Sequence, residues 1–324
     1  MRAAAILGLG CSARDLKPFQ TDNSVEWRIG MPASPDNADV ILLFGGDGTV
    51  HRHLGQLVKL GLPVLVVPAG SGNDFARALG PRRVHDSLSA WRKFCGGNGD
   101  VRAIDLGVIT PCEREGAAGL NLHESEIPMS RKTGETWGIP GWRAGVPAPR
   151  ETYFCCVAGV GLDSEVARRA NRLPRWLRGN GGYALSLAPT IFTFDPVPVK
   201  IFAPEGVDEG WALRSDGPTM LAAFANTPVY GGGMKIAPRA KMDDGLLDVC
   251  VVGAVSPMKL FSLFPTVYAG KHLSIREVEY FQAPRVRVET EQAQDIYADG
   301  EYVCQTPVDV SIERAALRVV TASR

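Results

Sequence analysis

The chain has 324 residues, and its 35 Lys and Arg residues balance its 35 Asp and Glu residues, so the formal net charge is zero. A nucleic-acid-binding protein usually carries a basic excess that neutralises backbone phosphates, so this composition argues against nucleic acid as a partner. The hydrophobic fraction of 45% and the charged fraction of 22% are typical of a globular protein and exclude a mainly disordered chain. The length predicts two domains, at roughly 150 residues each.

Neither a membrane span nor a leader is indicated. No apolar run approaches the ~18 residues of a spanning helix, and the opening segment lacks the pattern of a signal peptide, so we expect a cytoplasmic protein. The seven cysteines are scattered without a CxxC pair, which indicates free thiols rather than a disulfide framework or a zinc cluster. His51 and His53 form only a weak metal-ligand pair, and we interpret them as structural.

Residues 1–110 alternate short apolar runs with helical stretches. The apolar runs end at Gly or Pro and are typical of parallel strands buried on both faces, which predicts an α/β domain. Asn73 or Asp74 is placed to cap the second helix. The predicted strands are residues 3–7, 40–44 and 63–67, and the predicted helices are residues 49–60 and 74–79.

The rest of the chain has a different pattern. Residues 111–150 are rich in Pro, Gly, Glu and Arg and show no helical or strand period, so we predict an inserted loop. Residues 151–324 contain short β-prone runs, which predict a mainly antiparallel β domain. Its predicted strands are residues 153–157, 197–202, 220–224, 247–252, 285–289 and 308–312, interrupted by a helical hairpin at 164–194 and a helix at 258–273.

The first glycine-rich stretch follows the second predicted strand directly and reads Gly45, Gly46, Asp47, Gly48, Thr49. Glycines at a strand-to-helix junction let backbone N–H groups approach an anion, and the helix N-terminus adds its dipole. Three glycines around an Asp and a Thr exceed what a tight turn needs, so we favour a phosphate-binding loop over a plain turn. Because Asp47 would repel a bare phosphate, it indicates a nearby metal ion or a role in organising water and metal.

A second glycine-rich stretch, at residues 70–74, follows the next predicted strand and precedes another helix. Loops after neighbouring parallel strands emerge at the same sheet edge, so the two stretches are expected to converge on one ligand. The Walker pattern of P-loop proteins is absent. Residues 8–13 approximate a dinucleotide fingerprint, but no acidic residue completes it, and a nicotinamide site there remains a weak alternative.

These motifs resemble a known family. GGDGT at 45–49 followed by GSGNDFA at 70–76 is similar to the catalytic domain of diacylglycerol-kinase-type lipid kinases, which include bacterial lipid kinases, sphingosine kinases and ceramide kinases. GGDGT alone is shared with NAD kinases, whereas GNDFA favours the lipid kinases. Further matching segments are residues 104–107, 159–163, 240–248 and 299–301.

The resemblance implies an NAD-kinase-like, three-layer α/β ATP-binding domain at 1–110. A β-sandwich domain at 151–324 then completes the cleft, and its last strand is expected to return to the first domain. The resemblance implies Glu301 as proton acceptor, with Asp47 as a second catalytic residue, and an Mg²⁺ site made by Asp244 and the carbonyls of Lys241 and Leu246. The residues implied to hold ATP are Gly45, Gly46, Asp47, Gly48, Thr49, Gly70, Ser71, Asn73 and Asp74.

The chain also departs from the family pattern. The segment before the first glycine stretch is predicted to be too short for an additional βα unit. His51 and Arg52 occupy positions where the family commonly has Asn and Glu, so a base replaces an acid on the helix expected to face the phosphates. This replacement motivates the alternative of a catalytically weakened nucleotide- or lipid-binding protein.

Closely spaced arginines with interleaved apolar residues in the helical hairpin indicate transient contact with an anionic membrane surface. The alternative is a solvated helix that packs on the sandwich. We therefore expect a lipid kinase of phospholipid metabolism that uses ATP and Mg²⁺ to phosphorylate a diacylglycerol or sphingoid-like lipid, with NAD kinase as an alternative; a homodimer is left open. The predicted membrane-contact residues are Arg168, Arg169, Arg172, Arg175, Trp176 and Arg178.

Overall fold

The computed structural model describes residues 1–112, 151–172, 182–205 and 210–321. All but the first two residues of the predicted inserted loop lie outside these ranges, as does the turn of the predicted helical hairpin. Within the described residues, no helix combines the length and hydropathy that crossing a bilayer requires.

The first domain is built on a parallel sheet with strand order β2-β1-β3-β4. Alternate side chains of these strands enter two separate cores, one on each face of the sheet. One core packs under α2 and α3, and the other under α1 and α4, which gives the expected three layers. The strands are β1 (Arg2–Leu7), β2 (Glu26–Ile29), β3 (Val40–Gly45) and β4 (Val64–Pro68).

The helices of this domain start where glycine or polar residues interrupt the apolar runs. The longest helix, α2, starts after Gly46 in extended backbone and ends at Gly61, whose φ of 61° allows it to bind the last carbonyls. The helices are α1 (Ala13–Leu16), α2 (Asp47–Leu60), α3 (Asp74–Leu79) and α4 (Val84–Cys95).

The second domain is antiparallel and encloses its own apolar core. Together with the parallel sheet it gives the α/β architecture followed by a β-sandwich that the sequence predicts. Its strands are β6 (Thr152–Phe154), β7 (Val157–Gly161), β8 (Val197–Pro204), β9 (Trp211–Ala225), β10 (Leu247–Gly253), β11 (Val278–Ala283), β12 (Arg285–Thr290), β13 (Asp295–Ala298) and β14 (Glu301–Gln305). Its helices are α5 (Leu162–Arg172), α6 (Gly182–Thr193), α7 (Pro257–Leu263) and α8 (Pro265–Ala269).

Two long strands join the domains. β5 (Asp100–Pro111) and β15 (Val308–Thr321) pair along most of their length. β15 also pairs with β12 of the sandwich and, near its end, runs parallel to β4 through Val319 and Val64. The carboxyl end of β15 therefore lies in the sheet of the first domain.

The structure corrects several sequence predictions. The segment before the first glycine stretch does hold a short βα unit, because α1 is a single turn and β2 is a four-residue edge strand. The predicted helix at 49–60 begins two residues earlier, at Asp47. The predicted helix at 258–273 is divided into α7, α8 and a 3-10 turn at Lys271–Ser274, because Pro265 starts a new helix.

Candidate active site at the glycine loops

The turn between β3 and α2 forms an open helix N-terminus. Gly46 makes no side-chain cap, and the first hydrogen bond of the helix runs from Val50 N to Gly46 O at 3.1 Å. The N–H groups of Asp47 and Gly48 precede that bond and lie where an anion benefits from the helix dipole. Thr49 packs closely against the turn, because a Cβ added to Gly45 would lie 2.6 Å from the Cβ of Thr49. This geometry could hold phosphate groups.

The second glycine loop contacts the first through backbone atoms. A Cβ added to Gly70 would lie 2.4 Å from Gly46 Cα, so only glycine permits this approach. Asn73, with a φ of 54°, closes the loop by donating to Gly70 O at 2.6 Å and accepting from Gly70 N at 2.9 Å. The two loops therefore converge as the parallel sheet predicts, with the side chain of Ser71 exposed beside them.

Asp47 links the two loops rather than pointing freely at a ligand. Its Oδ2 accepts from Asp74 N and its Oδ1 from Phe75 N, both at 3.0 Å, so it caps α3. Asn73 occupies the N-cap position of α3 as predicted, but its side chain bonds to Gly70 and leaves the capping bonds to Asp47. Burial outweighs these amide bonds and raises the pKa of the Asp47 carboxyl to about 6.

Asp74 connects the second loop to the sandwich domain. Its Oδ1 accepts from Arg77 at 2.7 Å, and its Oδ2 accepts from the backbone N–H of Gly232 at 2.8 Å. Arg77 also donates to Gly72 O at 2.9 Å, which stiffens the loop. One oxygen of Asp74 thus holds Arg77 within α3, and the other contacts the second domain.

Glu301 enters the site from the sandwich. Asp299 and Gly300 form the two-residue turn between β13 and β14, with positive φ values of 51° and 83°. The carboxylate of Glu301 then lies at the N-terminal turn of α2, with Oε1 2.9 Å from the position that a Cβ at Gly48 would take. A carboxylate from one domain therefore meets the phosphate-type loop of the other.

Asp299 anchors the turn between β13 and β14. Its buried carboxylate accepts from the N–H groups of Cys155 and Cys156 at 2.8 Å each, and from that of Val157 at 3.3 Å. Burial opposes ionisation, but His51 and these amides outweigh it and hold the pKa of Asp299 below its ordinary value. Asp299 is therefore a charged anchor for the turn that carries Glu301.

The loop predicted to bind Mg²⁺ is a tight acidic turn. Asp244 Oδ1 accepts from Leu246 N at 3.1 Å, and buried Asp105 accepts from Gly245 N at 2.7 Å. Gly245 has a φ of 75° and packs under the guanidinium of Arg314. Carboxylate and carbonyl oxygens are the ligands that Mg²⁺ prefers, so Asp244 with the carbonyls of Lys241 and Leu246 could hold the ion.

A cavity with a mainly apolar lining lies within the second domain. Its walls come from α5, α6, α7, α8, β9 and β10 and from the segment that includes Tyr230 and Met234. Asp163 and His272, which are buried, and half-buried Glu277 are ionisable residues in a lining that is otherwise mainly apolar. The apolar character of this lining suits a hydrocarbon chain.

The predicted membrane-contact residues are only partly described. Arg168 and Arg169 lie on α5, and both form ion pairs of 2.7 Å with Glu165. Arg172 is exposed at the end of α5. Arg175, Trp176 and Arg178 lie outside the described residues.

Comparison with known proteins identifies the family of the chain. Residues 18–109 match the diacylglycerol kinase catalytic domain, and residues 156–321 match the YegS C-terminal NAD kinase beta sandwich-like domain. A diacylglycerol kinase from Mycobacterium tuberculosis is 32% identical over 287 residues, which cover 87% of this chain and 76% of that protein. The chain belongs to the diacylglycerol kinase family.

Two further proteins are similar to the chain at lower identity. A diacylglycerol kinase from Bacillus subtilis is 26% identical, over 82% of this chain and 71% of that protein. A crystal structure of a diacylglycerol kinase from Bacillus anthracis superposes with a TM-score of 0.60 at 16% identity, covering 99% of this chain and 96% of that one. The latter similarity shows a common fold.

His51 is the functional residue whose partner sequence reasoning missed. In this member of the diacylglycerol kinase family, His51 Nδ1 lies 3.3 Å from Asp299 Oδ2, and the side chain is almost buried. Arg52, by contrast, is exposed. His51, at the position of the usual Asn, therefore contacts the carboxylate that anchors the Glu301 turn, and the exchange of acid for base falls on exposed Arg52. Only the coincidence of a base at 51 and an acid at 299 hinted at the pair.

Proposed function

We propose that the protein is an ATP-dependent lipid kinase that transfers the γ-phosphoryl group to the hydroxyl of a diacylglycerol or sphingoid-like lipid. The observation that carries this proposal is the contact of Glu301 with the N-terminal turn of α2. This contact supports the role of Glu301 as a proton acceptor directly beside a phosphate-binding loop. Phosphoryl transfer to an alcohol requires this arrangement.

In the proposed reaction, the first turn of α2 and the two glycine loops bind the phosphates of ATP. The lipid hydroxyl oxygen forms a bond to the γ-phosphorus while the bond to the bridging oxygen breaks, and ADP leaves. Glu301 accepts the hydroxyl proton. Asp299 and His51 keep the Glu301 turn in place, and Asp47 holds the second loop against the first. Mg²⁺ supplies positive charge that offsets the phosphates when bound.

The apolar cavity supports a lipid acceptor rather than NAD. The segment from Tyr230 to Ile236 contacts both regions, because Gly232 N bonds to Asp74 at the second glycine loop while Tyr230 and Met234 line the cavity. A hydrocarbon chain in the cavity would thus be held by the same segment that touches the phosphate-type loop. The polar NAD molecule would gain little from an apolar lining.

The position of His51 also argues against a weakened binding protein. His51, which replaces the usual Asn, contacts Asp299, whereas Arg52, which replaces the usual Glu, is exposed. His51 therefore supports the turn that carries Glu301, so an active kinase remains the better proposal.

The test is an assay with labelled ATP against diacylglycerol, sphingosine and NAD. We expect a phosphorylated lipid, and we expect Glu301→Gln to lower kcat by about 10²- to 10⁴-fold, the usual contribution of a general base. Glu291→Gln, at an exposed glutamate in the turn after β12, is the matched control and should retain activity. Phosphorylation of NAD but no lipid, or equal rates for Glu301→Gln and wild type, would refute the proposal.

A further inference from the structure

Large apolar side chains are exposed together on α6, α7 and α8. Phe192, Met258, Phe261 and Tyr268 are 50%, 69%, 49% and 45% exposed, and we call them the apolar patch. The rings of Phe192 and Phe261 lie 5.8 Å apart, which joins α6 to α7. Tyr268 packs edge-on against Phe264 at 5.8 Å, which joins α8 to α7. The patch is therefore continuous across three helices, unlike the scattered single apolar residues of an ordinary surface.

The same helices form a wall of the apolar cavity. Leu187 and Ile191 of α6 pack into one apolar cluster with Leu260 of α7 and with Phe264, which lies between α7 and α8, and all four line the cavity. A helix on the surface of a globular protein normally shows a polar outer face opposite such a stripe. These helices instead present large apolar side chains on both faces, so their outer surface fits an apolar environment.

The charges around the patch select the kind of partner. Residues 182–194 contain no Asp, Glu, Lys or Arg, and residues 254–276 contain Lys259, Lys271 and Arg276 without any Asp or Glu. Lys259 pairs with Glu277 at 2.7 Å, whereas Lys271 and Arg276 are exposed. Exposed aromatic side chains flanked by the exposed cations Lys271 and Arg276 are complementary to an anionic lipid surface.

We propose that the apolar patch is a docking surface for an anionic lipid bilayer, and that docking brings the wall of the apolar cavity onto the membrane. This inference rests on the proposed function, because a lipid acceptor must pass between bilayer and cavity. It assigns the contact to α6, α7 and α8 rather than to the predicted arginines of the hairpin. Arg168 and Arg169 are less suited, since both are already paired with Glu165.

The experiment is co-sedimentation of the full chain with vesicles of phosphatidylcholine alone or mixed with phosphatidylglycerol. The double variant Met258→Ser/Phe261→Ser should bind the mixed vesicles about tenfold more weakly than wild type. Ile29→Ser is the matched control, because Ile29 is 63% exposed on the edge strand β2. Met258→Gln serves as a second variant should the double one fail to fold. Lys271→Glu should weaken binding to the mixed vesicles only.

The outcomes separate this surface from the proposed function. Phosphorylation of a short-chain, dispersed diacylglycerol is expected to be unchanged in the patch variants, because neither residue lines the cavity or the glycine loops. If patch variants bind vesicles like wild type, the docking surface is refuted while kinase activity can still stand. If vesicle binding is lost but no lipid is ever phosphorylated, the surface stands and the proposed function fails.

Two further results would overturn the inference. Loss of vesicle binding in Arg168→Ala/Arg169→Ala, with no loss in the patch variants, would assign the contact to α5. Conversion of a dimer to a monomer by the patch variants, with vesicle binding intact, would make the patch an interface between two copies of this chain.

Discussion

At the scale of single residues, the buried position of Asp47 between the glycine loops makes the stability of the protein depend on pH. Burial raises the pKa of its carboxyl to about 6, while an aspartate in the unfolded chain ionises near ~4. Between these values the folded protein binds more protons than the unfolded one. The contribution of Asp47 to the free energy of unfolding is therefore full at low pH and falls as the pH rises through this window.

Replacing Asp47 with Asn removes this titration. The single carbonyl of Asn can serve only one of the two amides of α3, so we expect a loss of about 1–3 kcal/mol in unfolding free energy at neutral pH. Only wild type carries the titrating carboxyl of Asp47. The difference in unfolding free energy between wild type and Asp47→Asn should therefore be larger near pH 4.5 than near pH 7, by about 2 kcal/mol. Urea denaturation at both pH values measures this, with Asp216→Asn, at an exposed residue, as control. Equal differences at both pH values would contradict the raised pKa.

His51 acts on Glu301 through Asp299. The variant His51→Leu removes the imidazole that contacts Asp299 Oδ2, whereas the hydrogen bonds from the N–H groups of Cys155 and Cys156 to Asp299 remain. Since small misplacements of a reacting group are costly, we expect kcat to fall by about 10- to 100-fold with little change in KM for ATP. His51→Gln, which retains a donor, should recover most of the rate. Failure of this rescue, or an effect confined to KM, would assign His51 a purely structural role.

At the scale of elements, the contact between the glycine loops depends on the absence of a side chain. Gly70→Ala would place a Cβ 2.4 Å from Gly46 Cα, and both groups belong to backbone that no rotamer change can relieve. We expect the variant to lose about 1–3 kcal/mol of unfolding free energy and to bind ATP more weakly. Gly55→Ala on α2 meets no atom within 4 Å and should be neutral or slightly stabilising. Similar ATP affinities for wild type and Gly70→Ala would show that the loops do not form the nucleotide site.

The elements that were predictable from sequence share strong local signals. β3 and β4 are fully buried apolar runs that end at glycine or proline, which is typical of parallel strands. When two parallel strands are neighbours, the loops that follow them lie at the same edge of the sheet. β2 was missed because it is a short edge strand with mostly exposed residues, so it has no clear apolar period. The pair of His51 and Asp299 spans 248 residues, and its contact depends on the packing of both domains. Local patterns carry no information about such a distance.

At the scale of the whole molecule, Asp105 joins four segments at the boundary of the domains. Its Oδ1 accepts from Ala315 N at 2.8 Å and its Oδ2 from Gly245 N at 2.7 Å. Its backbone N–H donates to Met242 O at 2.7 Å, and its carbonyl accepts from the Asn226 side chain at 2.9 Å. Because β5 and β15 run through both domains, this node ties the candidate Mg²⁺ loop to the strands that connect them.

The arrangement predicts that the two domains unfold together. In Asp105→Asn, the side-chain NH₂ group replaces one carboxylate oxygen and faces a backbone N–H group, so two buried donors meet. We expect a loss of about 1–3 kcal/mol in unfolding free energy. Since β5 and β15 are shared, hydrogen exchange should show equal loss of protection in β3 of the first domain and in β9 of the second. Asp216→Asn again serves as control and should leave both strands unchanged. Loss of protection confined to β9 would mean that the sandwich unfolds as a separate unit, and that the long strands do not couple the domains.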